Sequence, residues 1–206
     1  MNSETAPVVH LVDDDDAIRD ALSWLLRSRR VSTITWSCGE DFLAAWNEDM
    51  CGCLVLDIRM QGMSGLELFD RLQSDFCRLP VIFLTGHGDV QLAVAALKKG
   101  AYDFIEKPFD DNDLVDRVIA ALAQDANQRA RRALNNDVGI RLAQLTPRES
   151  AVMEYILAGK FNKVIADELD IAIRTVEVHR ARIFEKMGVR SAVELAQLLA
   201  AKNGGG

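Results

Sequence analysis

Short apolar runs recur along the first part of the chain, and they constrain the fold more than any other feature. Between them lie segments with helical periodicity, such as the stretch in which Leu22, Leu25 and Leu26 share one face. A short apolar run followed by an amphipathic helix is the repeating unit of a parallel sheet with helices on both faces. We therefore expect an α/β fold with a doubly wound, five-stranded parallel sheet. The runs are residues 8–12, 31–36, 53–56, 81–84 and 102–105.

Polar residues follow most of these runs directly. Asp13 and Asp14 come after the first run, Asp57 after the third and Thr85 after the fourth, while Lys107 lies just beyond the fifth. Because parallel strands of a doubly wound sheet end at one edge, where such folds bind ligands, we expect these side chains to converge there. Carboxylate oxygens suit Mg²⁺, and an ammonium group suits a phosphoryl group. The pattern predicts a phosphorylation switch with a Mg²⁺ site.

Charge is divided unevenly along the chain. The 206 residues have a formal net charge of −7, but residues 1–123 carry −10 and residues 124–206 carry +3. An acidic part joined to a basic part indicates two domains with different partners, and nucleic acid is the expected partner of the basic one. We expect a phosphoacceptor domain over residues 1–123, a polar and partly helical linker over 124–142, and a DNA-binding domain over 143–203.

No segment of the sequence looks like a targeting or membrane signal. The chain does not begin with a basic and then apolar pattern, and no apolar run approaches the roughly 20 residues needed to cross a bilayer. The four cysteines have neither zinc-ligand spacing nor the spacing of a redox pair. We expect a cytoplasmic protein with reduced cysteines and no membrane partner.

Helix signals mark several short helices in the basic part. Thr146, Pro147 and Glu149 have the spacing of an N-cap, a first helical residue and a capping-box acid. Two short helices joined by a tight turn follow, and the second of them is rich in arginine, which is the form of a helix-turn-helix. The helices predicted after the first one cover residues 162–169, 174–186 and 192–201.

Six short motifs together resemble those of bacterial two-component response regulators. They are VDDDD at 12–16, LDIRM at 56–60, LTGHGD at 84–89, EKPF at 106–109, LTPRE at 145–149 and RTVEVHR at 174–180. The first part of the chain is similar to a receiver domain, and the second part is similar to a LuxR-type DNA-binding domain. This combination characterises the NarL/FixJ class, and the resemblance covers nearly the whole chain.

The resemblance implies a function as well as a fold. A flavodoxin-like receiver would be phosphorylated by a sensor histidine kinase, and phosphorylation would promote homodimerisation and binding to double-stranded promoter DNA. RNA polymerase is a candidate further partner. The class does not consist of metabolic enzymes, because its receivers catalyse only their own phosphotransfer and dephosphorylation.

Within the receiver motifs, the resemblance assigns chemical roles to the polar residues at the sheet edge. Asp57 matches the phosphoacceptor. Lys107 matches the lysine that contacts the added phosphoryl group, and Pro108 after it implies a cis peptide bond. The positions that match the Mg²⁺ ligands are Asp13, Asp14, Asp57 and the backbone carbonyl of Arg59.

Three further positions of the receiver carry expectations from the resemblance. Thr85 and Phe104 match the switch pair, in which the hydroxyl moves toward the phosphoryl group and the aromatic ring turns inward. An alternative stays open for Phe104, namely that it is an ordinary buried aromatic residue with no role in switching. Gln61 stands where the family commonly has proline, and we expect this difference to loosen the loop without touching a catalytic group.

The resemblance also selects candidates for contacts with DNA. Glu177, Val178 and Ala181 match base-facing positions, although Glu177 could instead pair with a nearby arginine. Phosphate contacts are assigned to Lys163, Thr175, Arg180 and Arg182. The full set, expected on the outer arc of the arginine-rich helix or just before it, is Lys163, Arg174, Thr175, Glu177, Val178, Arg180, Ala181 and Arg182.

Two other functions fit parts of this pattern. A Mg²⁺-dependent aspartyl-phosphate hydrolase also combines a strand-end aspartate with a lysine, but that class usually has Asp-x-Asp, and here Arg59 fills the second position. A receiver whose second part binds protein instead of DNA would show no salt-dependent affinity for DNA.

Overall fold

The computed structural model describes residues 7–86 and 89–203. The chain divides into two compact units, Met1–Gln128 and Arg129–Gly206, and each is described by itself. His87 and Gly88 of the LTGHGD motif lie outside the described residues, as do the C-terminal glycines.

The first unit is built on a five-stranded parallel sheet, which confirms the predicted fold class. The strands are β1 (Val8–Val12), β2 (Thr33–Trp36), β3 (Gly52–Asp57), β4 (Val81–Thr85) and β5 (Asp103–Glu106). Their order across the sheet is β2-β1-β3-β4-β5. Strands β3 and β4 are buried along their whole length, which explains why they consist of nearly continuous apolar residues. This order places the ends of β1 and β3 side by side.

Helices cover both faces of the sheet and separate its core into two clusters. One cluster includes Phe42, Leu68 and Phe83, and the other includes Leu26 and Leu114. Because successive side chains of a strand point to opposite faces, each buried strand contributes to both clusters. The first four helices are α1 (Asp16–Ser28), α2 (Gly39–Ala45), α3 (Gly65–Ser74) and α4 (Val90–Lys98).

A glycine allows α3 to begin close to the end of β3. A Cβ atom at Gly65 would lie 2.1 Å from the main-chain oxygen of Asp57, so a larger residue would push the helix away from the strand. The helix start is fixed by a capping box, in which Ser64 accepts from the Glu67 N–H and the Glu67 side chain accepts from the Ser64 N–H. The end of the loop that leads into α3 is therefore fixed in position.

Helix α5 (Asp111–Ala143) is one continuous helix of 33 residues. It includes the whole of residues 124–142, for which the sequence predicts only a partly helical linker. In the first unit, the buried carboxylate of Asp125 accepts from the Gly52 N–H at 2.9 Å. In the second unit, Val138 is fully buried in the core. Asp125 therefore packs into the first unit, and Val138 packs into the second.

The second unit is helical and contains the predicted helix-turn-helix. Its remaining helices are α6 (Pro147–Leu157), α7 (Asn162–Leu169), α8 (Ile173–Met187) and α9 (Ala192–Asn203). The capping box expected at Thr146 and Glu149 is present. Helix α7 ends at Asp170 in the left-handed conformation (φ 51°), which turns the chain into α8. Val176, Ile183 and Met187 form the buried side of α8.

Membrane insertion has no support among the described helices. None of those within residues 7–86 and 89–203 combines the length and the apolar character that a transmembrane span needs.

Candidate phosphoacceptor site and DNA-binding surface

Three carboxylates meet at the carboxyl edge of the sheet. Asp13 and Asp14 follow β1, and Asp57 is the last residue of β3. One ligand oxygen from each lies within 4.8 Å of the others. Asp13 and Asp57 are buried, at 3% and 7% exposure, whereas Asp14 is exposed. The structure therefore brings together the acidic residues that the sequence selects.

Lys107 enters this acidic cluster from the end of β5. Its Nζ donates to Asp57 Oδ1 at 2.7 Å and to Asp13 Oδ2 at 3.1 Å. The main chain positions the side chain, because the Lys107 N–H donates to the carbonyl oxygen of Thr85 at 2.7 Å. The peptide bond between Lys107 and Pro108 is cis, as the resemblance implies.

The acidic cluster keeps an excess of negative charge. Burial raises the pKa of the Asp57 carboxyl, although the hydrogen bond and charge of Lys107 act in the opposite direction. Burial lowers the pKa of Lys107, but the hydrogen bonds and charges of Asp57 and Asp13 outweigh it and raise the pKa overall. One ammonium group does not balance three carboxylates, and converging hard oxygen ligands suit Mg²⁺. The donor set therefore fits a divalent cation.

The loop between β3 and α3 contributes main-chain donors to this site. The Arg59 N–H donates to Asp57 Oδ2 at 2.9 Å, and the Gln61 N–H donates to Asp14 Oδ2, also at 2.9 Å. Through its backbone, Gln61 therefore contacts Asp14, a predicted metal ligand, and its effect on the mobility of the loop stays a prediction. Proline lacks an N–H and could not make this bond. The role of the Arg59 carbonyl as a ligand stays a prediction.

An ion pair beside the site involves Asp89, a residue for which no role was predicted. Arg59 Nη2 lies 2.6 Å from Asp89 Oδ1, and its Nε is 2.9 Å from Asp89 Oδ2. Asp89 is only 1% exposed, and the hydrogen bond from Arg59 holds its pKa below the ordinary value despite burial. The pair connects the β3–α3 loop to the start of α4. Asp89 lies in the LTGHGD motif, but no local pattern predicts a partner in another loop.

The two switch candidates differ in burial. Thr85 is fully buried, and its hydroxyl donates to the carbonyl oxygen of Ile105 at 3.4 Å. Phe104 is half-buried and packs against the core on one face of the sheet. Thr85 is the last residue of β4, which pairs with the strand of Asp57, and Phe104 belongs to β5, which Lys107 follows. The part of both residues in signalling stays a prediction.

The second unit exposes most of the residues expected to contact DNA. Seven of the eight are exposed, and Val178 is 45% exposed although it is apolar. Helical spacing places Arg174, Val178 and Ala181 along one stripe opposite the buried Val176. The first turn of α8 has no side-chain cap, because Ala172 occupies the N-cap position. A stripe of this kind can enter the major groove of a duplex.

Arg180 differs from the other candidates. It is half-buried, and helical spacing places it near Val176 and Ile183 on the inward side of α8 instead of on the expected outer arc. Its guanidinium carbon lies 5.5 Å from the centre of the Phe184 ring, within the range of a cation–π contact. Arg180 therefore has a packing role within the second unit, whether or not it also contacts DNA.

Family models match both units. The model described as response regulator receiver domain matches residues 9–119, which is more than half of the chain. The chain belongs to the response regulators. The model described as bacterial regulatory proteins, luxR family, matches residues 143–199. A receiver followed by a LuxR-type domain confirms the NarL/FixJ class, and this response regulator belongs to a family of transcription regulators instead of one of metabolic enzymes.

Individual relatives cover almost the whole response regulator. The C4-dicarboxylate transport transcriptional regulatory protein DctR of Rhodobacter capsulatus is 50% identical over 92% of this chain and 98% of its own. The transcriptional regulatory protein FixJ of Bradyrhizobium diazoefficiens is 42% identical over 92% and 93%. Among solved structures, the response regulator StyR matches with a TM-score of 0.87 at 40% identity, covering 95% of this chain and 98% of its own.

Proposed function

We propose that this response regulator is switched by phosphorylation of Asp57. A sensor histidine kinase supplies the phosphoryl group, and the phosphorylated protein forms a homodimer that binds promoter DNA and controls transcription. RNA polymerase is the further partner that this role suggests. Promoter binding also implies that the protein acts in the cytoplasm.

One observation carries the proposal: the Lys107 ammonium lies between Asp57 and Asp13. At 2.7 Å from Asp57 Oδ1, it occupies a position from which it can pair with oxygens of a phosphoryl group added there. A lysine that served only solubility would project into solvent, whereas this one is half-buried among acids. The arrangement supports Asp57 as the phosphoacceptor, because the Lys107 ammonium is already in place to pair with the negative charge of the added phosphoryl group.

The reaction itself needs little covalent assistance from the protein. An oxygen of Asp57 forms the new O–P bond while the N–P bond of the kinase phosphohistidine breaks, and the histidine nitrogen leaves with the electron pair. Asp13, Asp14, Asp57 and the Arg59 carbonyl would hold Mg²⁺, which supplies positive charge that offsets the repulsion between the carboxylates and the incoming phosphoryl group. The Arg59 N–H orients Asp57 through its second oxygen.

Signal transmission would then begin at Thr85. Its hydroxyl makes only a long hydrogen bond to a main-chain oxygen, so little is lost when it moves toward phosphoryl oxygens. Phe104 would turn inward behind it and change the surface formed by α4 and β5. That altered surface is the one that we propose for homodimerisation.

Labelling of the acceptor tests this proposal. Full-length protein incubated with radiolabelled acetyl phosphate and Mg²⁺ should incorporate label that hydroxylamine removes, as expected of an acyl phosphate. Asp57→Asn should abolish the labelling, and chelation of Mg²⁺ should prevent it. Asp16→Asn is the matched control, because it removes an acid of α1 that lies outside the acidic cluster and should leave labelling intact. Full labelling of Asp57→Asn would remove this residue as the acceptor.

A further inference from the structure

The three carboxylates of the acidic cluster are not held in the same way. Asp13 accepts from the Asp15 N–H at 2.9 Å and from Lys107, and Asp57 accepts from the Arg59 N–H and from Lys107. Within residues 7–86 and 89–203, Asp14 forms no ion pair with a lysine or an arginine. Among the described residues, its carboxylate has one hydrogen bond, from the Gln61 N–H to Oδ2 at 2.9 Å.

This single bond decides where the Asp14 carboxylate points. Asp14 is exposed, so water competes for it, and the negative charges of Asp13 and Asp57 repel it. Without a partner at the cluster, the side chain would gain both hydration and distance from like charges by turning outward. A charge-assisted hydrogen bond from the loop opposes that movement and keeps the ligand oxygens convergent.

We propose that Gln61 is a positioning residue for the divalent cation, acting through its backbone N–H and not through its side chain. The inference rests on the proposed function, because it concerns the cation that phosphorylation of Asp57 requires. By holding Asp14 against the loop that also carries Arg59, the Gln61 N–H prepares two of the predicted ligands before the cation arrives. The exposed Gln61 side chain is dispensable in this role.

The loop has a second anchor that does not depend on Gln61. Glu40 Oε1, from α2, accepts from the Met63 N–H at 3.1 Å. The capping box at Ser64 then fixes the start of α3. Removal of the Gln61 N–H should therefore release Asp14 while the loop stays attached to the rest of the unit, which allows a selective test.

Calorimetric titration of the full-length, unphosphorylated protein with MgCl₂ measures the effect directly. Gln61→Ala keeps the backbone N–H and should bind Mg²⁺ within about twofold of the parent. Gln61→Pro removes the N–H and should bind Mg²⁺ about 3- to 10-fold more weakly, as expected when part of one charge-assisted hydrogen bond is lost. A merely structural role of the glutamine side chain would instead make the alanine variant the weaker one.

A second variant separates the lost donor from the effect of the proline ring. Replacing the peptide N–H of residue 61 by an ester oxygen removes the donor without restricting the backbone, and it should weaken Mg²⁺ binding to a similar extent. If both variants bind Mg²⁺ as tightly as the parent, the inference is overturned while the proposed function stands, provided that the parent binds Mg²⁺ and is labelled at Asp57. A parent protein that binds no Mg²⁺ would overturn both.

Discussion

At the scale of single residues, Glu149 shows how strongly a buried acid depends on its partners. It is 2% exposed, and its Oε2 accepts from Lys186 Nζ at 2.6 Å and from the Thr146 N–H at 2.8 Å. Hydrogen bonds lower the pKa of the Glu149 carboxyl from 4.5 to about 2, and the one from Lys186 contributes more than the one from the Thr146 N–H. The folded second unit therefore favours the ionised form of Glu149.

Acid should destabilise the second unit through this residue. Because the folded pKa lies below the unfolded one, the stabilisation is fully present above the unfolded value near 4.5 and is lost as the pH falls toward 2. Glu149→Gln removes the charge, and we expect it to lower the free energy of unfolding of this unit by about 1–3 kcal/mol at pH 7. The difference from the parent should shrink steadily between pH 5 and about pH 3.

Urea unfolding of the full chain can measure this difference. The tryptophans at 24, 36 and 46 all belong to the first unit, so their fluorescence reports on that unit alone, while circular dichroism follows both. Glu154→Gln is a suitable control, since it changes an exposed glutamate of the same helix. A loss of stability in Glu149→Gln that stayed constant from pH 7 to pH 3 would contradict the assignment.

Only the local half of this arrangement is predictable from the sequence. The spacing of Thr146 and Glu149 predicts the capping box, because both partners lie within one turn of helix. Lys186 lies 37 residues further along the chain, and no local pattern links it to Glu149. Hydrogen bonds between side chains distant in sequence depend on how the helices pack.

At the scale of elements, prediction succeeds where one physical signal dominates. Strands β3 and β4 are buried on both faces, so their apolar runs mark them clearly. The second half of α5 has no such signal, because its residues are mostly polar and exposed and few of them pack into a core. Its Ala, Arg and Gln residues have a high helix propensity. This explains why the segment predicted to be a partly helical linker is a continuous helix.

The candidate site divides in the same way. The convergence of Asp13, Asp57 and Lys107 follows from strand ends, because the fold class fixes the edge at which they meet. The bond from the Gln61 N–H to Asp14 and the pairing of Arg59 with Asp89 depend on the path of one loop. Loop paths are set by several weak contacts and not by periodicity, so the sequence could not predict them.

Helix α8 offers a test of how this element reads DNA. Val178 lies in the middle of the exposed stripe, whereas Arg182 lies at its border and can reach a phosphate. Arg182→Ala should weaken binding to all duplexes alike and reduce the dependence of log affinity on log salt by about one unit. Val178→Ala should instead change the preference among sequences, by roughly 1–3 kcal/mol where a base contact is lost.

Affinities measured at several salt concentrations, on a preferred site and on a scrambled one, distinguish the two effects. Arg182 is a cleaner choice than Arg180, since removal of Arg180 would also remove its contact with Phe184 and disturb packing. If Arg182→Ala altered sequence preference while Val178→Ala left it unchanged, the proposed orientation of α8 in the groove would be wrong.

At the scale of the whole molecule, the charge of the chain suggests why the proposed phosphorylation switch would act through association. Residues 124–206 carry a net charge of only +3, and each neutralised phosphate adds modestly to affinity and less as salt rises. Two copies on adjacent half-sites add their contacts through a high effective concentration. A dimer formed by the first unit would therefore switch DNA binding without any change in α8.

Lys107→Ala should separate phosphorylation from this association. Asp57 and the cation ligands stay in place, so the variant should still be labelled by acetyl phosphate, but the phosphoryl group loses the ammonium that holds it at the end of β5. We expect light scattering to show mostly monomer after labelling, where the parent shows dimer. Lys160→Ala, which removes an exposed lysine of the second unit, controls for the lost charge. A Lys107→Ala protein that dimerised as fully as the parent would show that the lysine takes no part in relaying the signal.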